Sequence, residues 1–448
     1  MKQAPGRLVL LALAAGLFAT SAFAQSAEPL QPGPAVAAKI DPADTAWMIA
    51  ATGLVLLMTI PGLALFYAGM VRKKNVLATM AQSLAATFVV SVLWALLAYS
   101  LTFTGTGTII GSLQRVFLIG MNLGSVSPNA PTIPEALFML YQMTFAIITV
   151  ALVAGSVADR LRFSAFLWFC VLWLFIVYVP IAHWVWGGGF LQQAGTIDFA
   201  GGLVVHLNAG VAGLVAALVI GKRKGYGHDN LAPFDLSLAV IGTGLLWVGW
   251  FGFNGGSALT AGSRAAFAIV ATHLAASAGA FTWMALEWWT RGKPSVLGMI
   301  SGAVAGLGTI TPASGFVTPM EGLAIGFIAG GVCFWSCTWL KIRLGYDDSL
   351  DVFGVHGIGG LTGTFLAGVL AIGAMSATPE LPQGVQGLIE GNVALVWSQF
   401  YGIVVTALWS GLATWGILKL IGVAVPLRVR TEDEVMGLDV SQHGEALQ

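Results

Sequence analysis

Apolar residues along this chain do not alternate with polar ones at strand or surface-helix spacing; they run in blocks of about 20, broken by short clusters of charge, proline and glycine. A block of that length, wound as a helix at ~1.5 Å per residue, crosses the ~30 Å hydrocarbon core of a bilayer. The breaks predict eleven spans, near 45–70, 78–104, 134–158, 162–184, 201–221, 233–253, 265–290, 295–310, 319–340, 352–374 and 392–421. The expected fold is therefore an all-α polytopic membrane protein with eleven transmembrane helices and one membrane domain over 45–421.

Composition agrees: 57% of the residues are hydrophobic and 9% charged, against about 45–50% and 25% in soluble domains. Net charge is zero, and lysines and arginines are too sparse for a nucleic-acid-binding stripe. Their placement is informative. Alternate junctions carry Arg72 to Lys74, Arg160 and Arg162, Lys222 to Lys224, Arg291 and Lys293, Lys341 and Arg343, then Lys419, Arg428 and Arg430. The other junctions hold only Arg115 and Arg264. Cationic loops stay on the cytoplasmic side, so the expectation is an N-terminus outside and a C-terminus inside, in a bacterial inner membrane.

Residues 1–24 have Lys2 and Arg7, a short apolar core and a small-x-small ending at Ala22 to Ala24, the pattern of a cleaved signal peptide. Residues 25–44 read as a periplasmic leader, and 422–448 as a polar cytoplasmic tail. Cys170, Cys333 and Cys337 lie in apolar runs without metal-ligand spacing and read as core residues. Glycines four apart, Gly298, Gly302 and Gly306, then Gly322, Gly326 and Gly330, fit close helix packing.

In a chain that avoids charge, VVHLNAG (204–210) and GVHGIGG (354–360) each bury an imidazole in an apolar span. Aligning His206 with His356 brings Asp198 onto Asp348, Gly210 onto Gly360 and Gly213 onto Gly363. The two histidines fall in spans five and ten, the last of two five-span sets (1–5 and 6–10). An odd number of spans inverts the second copy, the arrangement by which transporters build a midplane site, leaving span eleven as an added C-terminal helix. A lone intramembrane histidine is often a neutral group bonded to a carbonyl; two at matching positions point to a shared site, where they would titrate as one coupled pair. His183 reads as structural, His228 and His443 as solvated. His273 is an unassigned intramembrane imidazole, with a buried hydrogen bond expected.

Eight stretches, IPGLALFYAGMVRKKNVL (60–77), RFSAFLWF (162–169), YVPIAHWVWGGGFL (178–191), DFAGGLVVHLNAG (198–210), IGKRKG (220–225), GWFGFNGGSA (249–258), GKPSVLG (292–298) and DVFGVHGIGG (351–360), resemble the ammonium transporter (Amt/Mep/Rh) family, most closely its bacterial Amt branch. The resemblance runs from about residue 45 to the tail. It implies a homotrimer with one pore per subunit, no cofactor, and ammonium or ammonia as the transported species, with methylammonium as an analogue. It also implies residue roles. Trp186 would hold the cation against its ring at an outer site, with Ser257 as hydrogen-bond acceptor and Tyr141 at a position the family often fills with phenylalanine. Asp198 would be the buried carboxylate beside that site, favouring a cation indirectly. Phe145 and Phe253, ordinary core residues on composition alone, would form the gate, and His206, His356 and Trp250 would line the pore. GLDVSQHGE (437–445) resembles the family's regulated tail, which implies a cytosolic PII-type signalling protein as partner.

Two other classes compete. An ammonium sensor would normally carry a long output domain, whereas this chain ends some 25 residues after its last span. A membrane redox protein would use His206 and His356 as axial haem ligands. Neither HExxH nor GxSxG occurs, so nothing in the motifs indicates an enzyme.

Overall fold

The computed structural model describes residues 39–379 and 381–447. The expected signal peptide and most of the leader lie outside the described residues. The last leader residues instead open the first helix: Asp41 caps it by accepting from Ala43 N–H and Asp44 N–H, and Pro42 occupies its first position.

Eleven helices follow the expected spans: α1 Pro42–Met70, α2 Lys73–Phe103, α3 Glu135–Ser156, α4 Phe163–Gln193, α5 Gly202–Ile220, α6 Leu236–Gly255, α7 Ser263–Arg291, α8 Val296–Ile310, α9 Pro319–Leu344, α10 Phe353–Leu370 and α11 Val393–Ala424. Ten are long and apolar enough to cross a membrane; α8, at 15 residues, is not. It runs into an irregular turn whose Thr311, Ala313, Ser314 and Val317 are fully buried. Non-helical backbone at membrane depth is tolerable there because protein, not lipid, surrounds it. The largest boundary difference is in α4, which continues past its expected end at Trp184 to Trp186 and closes with a short turn at Phe190–Gln193. Between α2 and α3 a short antiparallel ribbon pairs β1 Val126–Ser127 with β2 Ala130–Pro134.

In lipid, helices associate through close packing rather than hydrophobic burial, and the glycines show where. A Cβ on Gly242 would sit 2.2 Å from Phe66 N, and one on Gly249 2.3 Å from Met58 Cβ, so α1 and α6 run antiparallel in backbone contact. Gly302 and Gly306 press on α7 at Gly279 and Ala275, and Gly322, Gly326 and Gly330 press on it at Ala271, Ala275 and Gly279, as the four-residue spacing predicts.

The end of the molecule carrying Arg72, Lys74, Arg223 and Lys224 also carries the C-terminal segment. There Arg160 is fully buried, its guanidinium donating to Gly221 O (2.7 Å), Asp347 O (2.5 Å) and Ser349 Oγ (2.6 Å). Arg223 pairs with Asp347 at 2.7 Å. Burial alone would raise the Asp347 carboxyl, but Arg223 holds it below the usual aspartate range. The tail, whose short helix α12 spans Thr431–Met436, lies against this network. Leu438 N–H donates to Asn75 Oδ1 (2.8 Å), Asn75 donates to Asp159, and Asp439 accepts from Ala78 N–H at the start of α2 (2.8 Å). His443, expected to be solvated, is half-buried edge-on to the Phe163 ring at 4.8 Å.

Candidate functional site

At the opposite end, three helices converge on a half-open aromatic pocket. Tyr141 and Phe145, one turn apart on α3, share a face, and α4 brings Trp186 edge-on to Phe145 at 5.7 Å. Ser257 follows the end of α6 and, like Trp186, is half-buried. Its hydroxyl lies 2.8 Å from Phe253 O, an acceptor that takes the Ser257 proton and leaves the oxygen lone pairs free. Tyr141 is fully buried, and its hydroxyl lies within 3.0 Å of both Gly252 O and Phe253 O. The Tyr141 proton is thus spent tying α3 to α6, while its oxygen lies 3.3 Å from Ser257 Oγ.

Beneath the pocket the Phe145 and Phe253 rings stack at 4.2 Å and 25°, both buried, leaving no open passage between them. Phe253 in turn lies 6.1 Å from the His206 ring. His206 lies between Trp250 (5.4 Å, 17°) and His356 (5.2 Å, 15°), and the two nearly coplanar imidazoles meet edge to edge, Nδ1 to Nδ1, at 3.2 Å. His206 Nε2 is buried with no protein partner among the described residues. This direct contact removes the haem alternative, since axial ligands lie on opposite faces of a macrocycle and no space for one separates these rings.

Local backbone explains the positions. His206, Phe253 and His356 each sit on a π-helical turn, at Gly202–Leu207, Phe251–Gly255 and Phe353–Gly357. Such turns widen the helix, free carbonyls and recur at functional sites. Both histidine turns are capped by the aspartate eight residues upstream. Asp198 Oδ1 accepts from Gly201 N–H and Gly202 N–H, and Oδ2 from Leu203 N–H and Val204 N–H, at 2.7–3.1 Å. Asp348 Oδ2 accepts from Phe353 N–H at 2.7 Å. The backbone carbonyl of Asp198 also accepts from Trp186 Nε1 at 2.7 Å, so one residue orients both the pocket tryptophan and the helix of His206.

The repeat is legible in the packing. A Cβ on Gly210 would lie 2.2 Å from Gly357 Cα, and a Cβ on its counterpart Gly360 would lie 2.7 Å from Leu207 N and 2.9 Å from His206 Cβ. Shifting Gly210 up by 150 and Gly357 down by 150 turns one pair into the other, and partner numbers fall along α10 as they rise along α5: the helices cross antiparallel, as an inverted repeat requires. Gly210→Ala is expected to force this crossing apart, with a cost of about 1–3 kcal/mol, lowering the thermal unfolding temperature in detergent together with conduction. An unchanged unfolding temperature would show that α10 can give way.

Among the other histidines, His183 is buried, with its ring nitrogens 2.8 Å from Thr102 O and 2.6 Å from Gly107 O, a structural clip as expected. His228 is exposed. His273 overturns the expectation of a buried hydrogen bond: it is exposed on α7, against Trp247 at 5.4 Å and Phe251 at 6.2 Å. Thr311, whose hydroxyl accepts from Trp250 Nε1 at 2.9 Å and so sets the plane against which His206 stacks, had no signal in the sequence beyond its place after α8.

Residues 46–447 match the model of the Ammonium Transporter Family. This chain belongs to that family. It is similar to the ammonium transporter of Bacillus subtilis, 48% identical over 406 residues, covering 90% of this chain and 97% of the relative. Among solved structures it is similar to Candida albicans Mep2, with a TM-score of 0.82 and 36% identity over 91% of this chain and 90% of the other. A structure described as a sensor Amt protein has a TM-score of 0.82 at 27% identity, over 90% and 98% of the two chains. Together with the apolar helices, these similarities make this family member a multi-pass membrane protein.

Proposed function

We propose that this chain is a transporter, not an enzyme, and that it moves ammonium across the membrane by deprotonating it, passing ammonia through an apolar lumen and relaying the proton along His206 and His356. The observation carrying this reading is the buried stack of phenyl gate over imidazole pair, with Nδ1 facing Nδ1 at 3.2 Å. Ammonium and potassium are alike in size and charge, so an open aqueous pore would pass both. A dry section rejects an ion that must enter charged, while ammonium can leave its proton behind.

The roles follow. Ammonium meets the Trp186 and Tyr141 rings and donates to Ser257. After the Phe145 and Phe253 gate it gives up a proton to the imidazole pair. One ring donates Nδ1–H to the bare Nδ1 of the other, so the donor ring has a bare Nε2 and the acceptor ring an Nε2–H. A proton taken at the bare Nε2 crosses the Nδ1 contact and leaves from the other Nε2–H, so the pair stays neutral between steps. Asp198, its oxygens occupied by four N–H groups, favours the cation through placement of Trp186 and His206.

Ammonium- and potassium-evoked currents across solid-supported membranes bearing the purified protein test the reading. Current with ammonium alone supports it. Electrically silent ammonium uptake would overturn the coupled proton route, and binding without flux would favour a sensor.

The basic end is assigned to the cytoplasm, the signal peptide and leader to export of the N-terminus. A homotrimer accounts for His273, an imidazole exposed on α7 that lipid cannot satisfy. The docked tail is assigned to regulation by a cytosolic PII-type protein. Removing residues 426–448 is expected to lower conduction severalfold and abolish capture of such a partner, because it withdraws the contacts to Asn75 and Ala78. Unchanged uptake with retained capture would refute this.

A further inference from the structure

Arg264 is the second residue of α7. Among the described residues it has no carboxylate partner, yet its guanidinium is held 5.0 Å from the Phe199 ring and 5.0 Å from the Phe316 ring, and Nε donates to Gly315 O at 3.0 Å. A partly buried cation held against two aromatic rings is a strong clamp; the rings themselves meet edge to face at 5.8 Å and 76°, so the planar guanidinium can lie flat on one of them, as an ammonium cannot. What is clamped matters: Phe199 directly follows Asp198, and its N–H donates to Pro312 O at 3.1 Å. Gly315 lies so close to the Phe199 ring that a Cβ there would approach within 2.1 Å of it. The ring is therefore pinned by the start of α7 on one side and by the turn after α8 on the other.

We propose that Arg264 is a positioning residue of the conduction path, acting through Phe199 and Asp198 on both Trp186 and the capped turn of His206. This rests on the proposed function above. The clamp fixes Asp198, whose carbonyl orients the Trp186 ring and whose carboxylate closes Gly201 to Val204. A different role is open to a lone cation in a cation-conducting protein: repelling ammonium. The two roles predict opposite results.

Arg264→Met removes charge and stack; Arg264→Lys keeps the charge and loses the planar stack. Positioning predicts that both raise the half-saturating ammonium concentration, by roughly five- to fiftyfold, the range that two partly buried cation–π contacts can hold, with a smaller change in maximal current. It also predicts that amides 201–204 exchange hydrogen at least about tenfold faster in both variants, while amides of α1 and α6 do not change. Phe316→Leu, which removes one face of the clamp, should fall between wild type and the Arg264 variants. A charge role predicts instead that Arg264→Met lowers the half-saturating concentration and that Arg264→Lys matches wild type. Either that pattern, or wild-type exchange at 201–204, overturns the proposal. Wild-type currents in the same vesicles decide the transport reading separately: if they are absent, that reading fails, and the exchange rates alone decide whether Arg264 positions Asp198.

Discussion

Replacing His206 and His356 together with alanine is expected to reduce the ammonium-evoked current at least about a hundredfold, the lower range of what a positioned acid–base pair contributes. The two rings touch each other, Trp250 and the space beneath Phe253, and both are buried. Their removal leaves a lumen section with no group able to take a proton from ammonium. It also opens room for water, since two imidazoles give way to methyl groups. Ammonium that still passes should therefore pass as a hydrated ion, and potassium with it. Gain of a potassium current alongside the loss of the ammonium-specific one would mark the pair as both proton path and selectivity filter. A variant that still carries ammonium and still excludes potassium would sink the mechanism and move discrimination to Trp186 and Ser257. Single replacements sharpen the test: removing either ring breaks the Nδ1 contact, so each alone should approach the double variant rather than contribute half.

The eleven spans were legible because a bilayer leaves the backbone few options: a polar run ends a helix and a 20-residue apolar run makes one. The histidines were legible for the same reason, since an imidazole in such a run demands a partner. What one sequence could not show was direction. That the Tyr141 hydroxyl turns inward onto Gly252 O and Phe253 O depends on the π-helical turn that frees those carbonyls, and helical periodicity gives no sign of such a turn. His273 sits in an apolar run as His206 does, yet faces outward, because α7 presents a different side to its neighbours. The leader lost its final residues to α1 through the Asp41 cap, a local rule that span-counting ignores. The clamp on Phe199 joins residues 65 and 117 positions away and leaves no local trace.

Asp198 carries the second large effect, and its variants separate placement from charge. Asp198→Ala strands four buried N–H groups at the start of α5, and each stranded buried donor costs about 1–3 kcal/mol. Even the low end of four such losses is a large part of the ~5–15 kcal/mol by which a folded domain is stable. Little folded protein is expected. Asp198→Asn is the informative change. Its carbonyl can still serve one pair of N–H groups, Gly201 and Gly202 or Leu203 and Val204, but its NH2 then faces the other pair, donor against donor. The chain should fold with a lower unfolding temperature and a displaced turn, and conduction should drop roughly ten- to a hundredfold, as misplacement of about 1 Å does to positioned chemistry. If Asp198 acted instead as a bare anion on the passing cation, Asp198→Ala and Asp198→Asn would weaken ammonium affinity equally and leave unfolding temperatures near wild type. Unfolding temperature and half-saturating concentration, measured on both variants, distinguish the two. With both carboxylate oxygens already held by backbone N–H groups, the balance lies with placement.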